Sequence, residues 1–364
     1  MIYSVYRKPG QVVPDDTLDK CGHNCHGFLS PAVNEKDDPF LYRLPVELVS
    51  EIFEQTLPFR PCSEVFDSDF CAKRQVQAVK TLGRICRNWR NIARSTPRLW
   101  TIISIDLGQI NDKANPYLMA YQWLKLSKTL PIFLRLQQSN PRLEDPVLAA
   151  KFIPLIAVHA HRLTVLELCK LSHSVVNLLS LTLSVYRLDR LEHLKLLLLD
   201  EHYVKPTPLK LKASPLLLTA QWCSLPKISI GWDRLSQFIS TKGQDLSVQD
   251  FIYLLQNAPS LRYCLLSRVV FTEAPPKMVV HHSSLETLVI GYCQWDMWRV
   301  VTLPSLKTLH IDCAPDDQGW VSIRNFLDRS RCPITDLSLC TTGRAHLEKF
   351  QTPCEIFLAW KNFR

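Results

Sequence analysis

Residues 284–293 read Ser284-Leu285-Glu286-Thr287-Leu288-Val289-Ile290-Gly291-Tyr292-Cys293, and the fold turns on the pattern in this stretch. Leu288 and Ile290 are two apart, so in an extended chain they fall on one face, with Leu285 three residues earlier at the entry to the strand. The same apolar-x-x-apolar-x-apolar run occurs seven times: Leu163-Leu166-Leu168, Leu191-Leu194-Leu196, Leu225-Ile228-Ile230, Leu261-Cys264-Leu266, Leu285-Leu288-Ile290, Leu306-Leu309-Ile311 and Ile334-Leu337-Leu339. The start-to-start spacings are 28, 34, 36, 24, 21 and 28 residues. Strands over 102–107 and 132–136 open the series. Ser260-Leu261, Ser284-Leu285 and Ser305-Leu306 mark the return into the sheet.

Helical periodicity fills several gaps, at 117–129, 147–160, 175–186, 248–257 and 321–329. A strand followed by a helix at this period is the signature of leucine-rich repeats. Each unit exposes an apolar edge that the next one covers, so the expected product is an irregular α/β solenoid with a parallel sheet on one side and helices on the other. The longer gaps hold insertions, notably 203–223. Cys169, Cys293, Cys313 and Cys340 each follow a repeat strand, at the turn position where this architecture places a small buried Asn or Cys.

Residues 41–100 have a different rhythm. Pro45 stands at a helix start, and Leu44, Leu48, Val49, Ile52, Phe53 and Leu57 follow at helical spacing, with Glu47, Glu51 and Glu54 on the other side. A second pattern, Val76, Val79, Leu82, Ile85, Cys86, Trp89, Ile92 and Ala93, predicts one helix that Pro97 ends. Its polar side carries Lys80, Arg84, Arg87, Arg90 and Arg94, a face read as solvated more readily than as a phosphate-binding surface. So small a unit cannot bury its own apolar faces and must dock against another surface. Residues 1–40 read as a flexible tail. Within it Cys21-Gly22-His23-Asn24-Cys25-His26 gathers four soft ligands but lacks a second pair at zinc-site spacing.

Composition removes several function classes. The 364 residues include only 10 glycines, no two of them separated by a single residue, so no dinucleotide or phosphate loop and no nucleophile elbow is present. The net charge is +9, split +2 over residues 1–100 and +7 over 101–364, a mild excess spread over many elements. Thirteen cysteines, no signal-like opening and no N-x-[ST] site suggest reduced thiols in a cytoplasmic or nuclear protein. No run of ~20 mostly apolar residues is free of charge or polar interruption, so no membrane partner is expected. No histidine or cysteine has a partner placed for catalysis.

The string Leu44-Pro45-Val46-Glu47-Leu48, Ile52-Phe53, then 82–93 from Leu82-Gly83-Arg84-Ile85-Cys86 through Trp89 to Ala93, then Ser95-Thr96-Pro97-Arg98-Leu99-Trp100, resembles an F-box. With the repeats, the chain is similar to the F-box proteins numerous in mushroom-forming fungi. That resemblance implies a tail (1–40), an F-box domain (41–100) and a leucine-rich-repeat domain (101–364). It further implies a non-catalytic substrate-recognition subunit of an SCF-type (cullin-RING) ubiquitin ligase, without cofactor or metal. Carried over by position, the set facing the Skp-type adaptor, and through it a cullin, is Leu44, Pro45, Leu48, Ile52, Phe53, Ile85, Cys86 and Trp89. The 58–75 loop is longer than in the shortest F-boxes, and Ile85 stands where valine is commoner. The alternative is a binding scaffold outside any ligase; nucleic acid is the less expected partner. Contacts to an unknown protein substrate are expected at Lys170, Lys195, Trp232, Tyr263, Tyr292, Trp295 and His310, on or after the repeat strands. Trp295 and Trp298, around Met297, read equally well as a core patch.

Overall fold

The structure, a computed structural model, describes residues 44–57, 68–108, 116–139, 146–198, 208–221, 224–240, 245–271, 278–313 and 315–339. The tail, its 21–26 cysteine–histidine cluster and Cys340 lie outside these residues.

Three helices come first: α1 (Val46–Gln55), α2 (Ser68–Ile85) and α3 (Arg87–Ser95), followed by a 3-10 turn at Pro97–Trp100. The single second helix expected from the apolar spacing is in fact two. Cys86 is extended (φ −152°, ψ 175°) and becomes the N-cap of α3, its sulfur accepting the Trp89 N–H at 3.4 Å. The periodicity runs through this break because Ile85, Cys86 and Trp89 keep helical spacing across a corner. Arg90 Nε ties the corner by donating to the Gly83 carbonyl at 2.8 Å.

The rest alternates strands and helices: β1 (Ile102–Asp106), α4 (Pro116–Leu126), β2 (Ile132–Gln137), α5 (Pro146–Val158), β3 (Leu163–Cys169), α6 (His173–Leu183), β4 (His193–Leu197), β5 (Leu209–Lys210), β6 (Leu217–Gln221), β7 (Ile228–Ser229), β8 (Gln237–Ser240), β9 (Leu246–Ser247), α7 (Val248–Asn257), β10 (Tyr263–Val270), β11 (Val280–His281), β12 (Thr287–Cys293), β13 (Val301–Thr302), β14 (Thr308–Ile311), α8 (Asp317–Ser330) and β15 (Asp336–Leu339). Ten strands form one open parallel sheet, β1-β2-β3-β4-β6-β8-β10-β12-β14-β15, with β9 added beside β10. The α/β class with a parallel sheet is therefore present. Order in the sheet follows order in the chain.

One side-chain ladder crosses the whole sheet in register: Ile103, Leu134, Leu166, Leu194, Leu218, Phe238, Cys264, Leu288, Leu309 and Leu337. All but Leu337 are buried. The same continuous core takes in Phe152 and Ile156 of α5, Leu179 of α6, Phe251 of α7 and Phe326 of α8. The helices therefore cover this face of the sheet, as parallel strands with right-handed crossovers require. Residues Ile102 and Phe133, joined by Val165, form a small separate cluster on the opposite face.

The register corrects one expected repeat. Leu225-Ile228-Ile230 is not a main-sheet strand: Leu225–Lys227 is a 3-10 turn, and Ile228–Ser229 pairs with β5 outside the sheet. The main-sheet strands here are β6 and β8, and β6 falls inside the presumed insertion 203–223. Their ladder triplets are Pro215-Leu218-Ala220 and Leu235-Phe238-Ser240, whose small last residues hide the pattern.

Local signals set the helix ends. Ser247 caps α7 by accepting the Asp250 N–H at 2.9 Å, and Asp316 caps α8 by accepting the Gly319 N–H at 2.6 Å. A Cβ on Gly319 would lie 2.7 Å from the Trp295 ring, so glycine is what lets α8 press onto that indole. Phe238→Ala, in the ladder, is expected to cost ~3–5 kcal/mol, whereas Val321→Ala, on the exposed side of α8, stays within ~0.5 kcal/mol; chemical denaturation of the two variants beside the parent protein measures both.

Candidate functional site

Helix α1 is apolar around most of its circumference, so its two apolar stripes must be told apart by packing. Val49 and Phe53 turn inward and meet Ile92, Ala93 and Leu99 in the core. The Phe53 and Trp89 rings lie 4.8 Å apart at 38°. Thr96 Oγ1 donates to Ser50 Oγ at 3.0 Å, and Arg98 Nη1 lies 3.2 Å from Glu54 Oε2. The unit is also fastened to the sheet: α2 packs against β1, Trp100 Nε1 donates to the Ala93 carbonyl at 2.7 Å, and the Trp100 and Trp123 rings meet edge-on at 5.1 Å.

The other stripe is left in solvent. Val46 and Ile85 are each 53% exposed, Leu48 50% and Ile52 36%. Pro45 is exposed, and Leu44, Cys86 and Trp89 are half-buried. Of the expected adaptor-facing set, Phe53 is the correction. At 1% exposure it belongs to the unit's own core, because Val49 and Phe53 share the inward stripe. Trp89 is largely committed to Phe53. Val46 belongs with the exposed group and was not anticipated; its place beside Pro45 in the first turn was the available signal. Arg84, Arg87, Arg90 and Arg94 are all exposed.

The second candidate surface is the sheet face away from the helices. Its ladder runs Ser104, Arg135, Glu167, Lys195, Thr219, Ile239, Leu265, Val289, His310 and Ser338. The first half is polar and closed on itself. Glu167 accepts from Arg135 Nη1 at 3.2 Å and lies 3.8 Å from Lys195 Nζ, Arg135 Nε reaches Gln137 Oε1 at 3.1 Å, and Gln137 Nε2 reaches Asp106 Oδ2 at 3.1 Å. Arg135 and Glu167 are both buried, so each neutralises a charge the other could not otherwise carry there. The sequence held a signal for this network: the middle residue of Leu134-Arg135-Leu136, Leu166-Glu167-Leu168 and Leu194-Lys195-Leu196 alternates in charge on three successive strands.

The expected substrate contacts divide between the surface and the interior. Lys170 is exposed, in a left-handed turn (φ 53°) just after β3. Lys195 is tied to Glu167. Tyr263 is half-buried on β10; Tyr292 is exposed on β12 beneath Arg268, whose guanidinium carbon lies 5.0 Å from the ring centre; His310 on β14 bonds Asp312. These three occupy neighbouring strands. Trp232 is a correction: it is buried, edge-on to Tyr253 at 5.8 Å. Trp295 is half-buried against Gly319, and Trp298 and Met297 are fully buried with Phe326, so the core-patch reading of this segment holds. His282 is also buried, not a loop histidine: its Nδ1 accepts the Leu285 N–H at 3.2 Å while Nε2 meets the Ala258 carbonyl at 2.9 Å.

Where α1 and α2 meet the sheet, a groove of about 500 Å3 opens, walled by Leu57, Gln75, Ile102, Phe133 and Val165. Among the described residues no group of three His, Cys, Asp or Glu is placed to hold a metal ion, and no helix is long and apolar enough to cross a membrane. Neither the protein-family models nor the curated proteins compared with the chain gave a match.

His193, beside the charged ladder, gives the surface a pH signature. Its Nε2 lies 3.2 Å from Thr219 Oγ1, and burial, with Lys195 adding to it, lowers the imidazole from 6.5 to about 4. The unfolded chain therefore takes up this proton first. The stabilisation is complete above pH 6.5 and drains away as pH falls toward 4, ~3 kcal/mol in all. In His193→Gln the stability lost between those pH values should be smaller than in the parent protein by that order, as read from denaturation curves taken across the interval.

Proposed function

We propose that this chain is the substrate-recognition subunit of an SCF-type ubiquitin ligase. Its three-helix unit is read as an F-box that binds a Skp-type adaptor, and through it a cullin. The later part is read as a leucine-rich-repeat solenoid that holds a protein substrate. Cytoplasm or nucleus is the compartment this role implies.

The observation that carries the reading is the division of α1 into two stripes. Val49 and Phe53 anchor the unit to its own chain, while Val46, Leu48 and Ile52, with Ile85 at the end of α2, remain in solvent. Fully burying a large aliphatic side chain stabilises by ~1.5–3 kcal/mol, so a partner that covers this group gains several kcal/mol without unfolding anything. Two features support the solenoid. Each main strand lies beside the next main strand in sequence, and their starts fall 20–31 residues apart once β6 and β8 are included. The substrate surface fits the later half of the open sheet face, around Tyr263, Tyr292 and His310, because the earlier half has its charges already paired. The chain then acts by proximity, holding substrate and ligase together at high effective concentration.

The test is retrieval of adaptor and cullin by the full chain. The unmutated protein is expected to retrieve both. Leu48→Ala/Ile52→Ala, which touches the solvent stripe alone, is expected to weaken adaptor binding at least tenfold with little change in thermal stability. An unmutated protein that retrieves neither ligase subunit overturns the proposal and favours a scaffold outside the ligase.

A further inference from the structure

Cys293 ends β12, and Cys313 follows β14 by two residues. The two strands are parallel neighbours in register, with Ile290 opposite Ile311, and the Asp312 N–H donates to the Ile290 carbonyl at 2.9 Å. This pairing brings the two turns together. The Cys293 and Cys313 side chains meet in a thiol–thiol hydrogen bond, and the Cys293 backbone N–H is also directed at the Cys313 sulfur. Cys293 is buried and Cys313 half-exposed, so one sulfur is open to solvent reagents and the other lies directly behind it. The fully buried Trp298 indole approaches Cys293 from the core side, its N–H lacking a well-aligned acceptor.

We propose that Cys293 and Cys313 are a reversible dithiol–disulfide pair oxidised by hydroperoxides, with Cys313 as the attacking thiol and Cys293 as the resolving one. The Cys313 thiolate attacks the terminal peroxide oxygen. An S–O bond forms, the O–O bond breaks, and the alkoxide leaves to take up a proton as alcohol, or as water when the peroxide is hydrogen peroxide. The Cys293 sulfur then attacks Cys313. The S–S bond forms, the S–O bond breaks, and the departing hydroxide leaves as water with the Cys293 proton. Two thiols have lost two electrons and the peroxide has gained them. A small dithiol reverses the change by exchange.

The electrostatics agree with these roles. Donation from the Cys293 S–H, aided by its backbone N–H, holds the Cys313 thiol down at about 7 against the opposing effects of partial burial and of Asp312. The same donation, together with burial, pushes the Cys293 thiol up. A substantial thiolate fraction near neutral pH is what a peroxide-reactive cysteine needs. Cys264 supplies an internal contrast, since complete burial raises its thiol with no partner sulfur to counter it. The bond would staple the turn after β14 to the end of β12, between exposed Tyr292 and the His310–Asp312 pair.

The experiment treats the reduced full chain with a few equivalents of hydrogen peroxide, blocks the remaining thiols with N-ethylmaleimide and maps the peptides by mass spectrometry. The expected product is a linked Cys293–Cys313 peptide pair, lighter by two hydrogens and released by dithiothreitol, with Cys264 still alkylated after unfolding. Cys313→Ser should abolish it. Cys293→Ala should leave a Cys313 sulfenic acid that dimedone traps. Because Cys293 is a core residue, a reading independent of that variant comes from the unmutated chain, where Cys313 should alkylate faster than Cys264 at neutral pH. Peroxide that leaves both thiols free, or that joins Cys313 to a different cysteine, overturns the proposal.

Discussion

The ladder from Ile103 to Leu337 is the constraint on which the other features depend, because a strand in a parallel sheet has nothing to bury its apolar edge except its neighbours and the crossover behind it. Register between consecutive strands fixes which residue faces the helices and which faces away. A one-residue slip would place Glu167 and Arg135 among the leucines. The ladder has two ends, β1 and β15. At the first of them α2 packs on β1, and the Trp100–Trp123 contact closes the corner. Covering that end uses the inward apolar side of the three-helix unit and leaves the outward side of α1 with no role in the fold of the described residues. The division between core and candidate interface thus follows from how the sheet begins.

The open face shows the same logic with charge in place of area. Two buried ions are costly unless each finds the other and the remaining hydrogen-bonding positions are filled. Arg135 and Glu167 meet that condition through Gln137, Asp106 and Lys195, so this half of the face holds strands together. Beyond Thr219 the ladder turns to Ile239, Leu265 and Val289 and then to His310, with tyrosines alongside on β10 and β12. A face whose polar groups already satisfy one another has little left for a ligand. One with half-buried aliphatics and exposed aromatics retains contact area and hydrogen-bonding groups, which is why the later strands are the better place to seek a bound protein.

Much of the strand series is legible in the sequence because leucine and isoleucine at two-residue spacing leave few alternatives. It fails where the last ladder position is Ala220 or Ser240, and where Leu225-Ile228-Ile230 copies the pattern in a turn that never enters the sheet. Periodicity likewise cannot see the corner at Cys86, since apolar spacing continues across it and only the backbone changes. The adaptor-facing set is partly legible. A helix with Leu48, Val49, Ile52 and Phe53 has two apolar stripes, and which one faces inward depends on Ile92 and Leu99, some forty residues away. Trp232 failed as a surface residue for a general reason: a large aromatic in a turn is as useful for filling a core as for gripping a partner. The charge alternation of Arg135, Glu167 and Lys195 was visible at the start, and only the register gives it meaning.

Hydrogen–deuterium exchange of the full chain, with and without a Skp-type adaptor, tests most directly whether the outward stripe is an interface. The account predicts slowed exchange in α1 and in the last turn of α2, with the strands β2 to β14 unchanged. Slowing on the sheet face while α1 exchanges as before would contradict it.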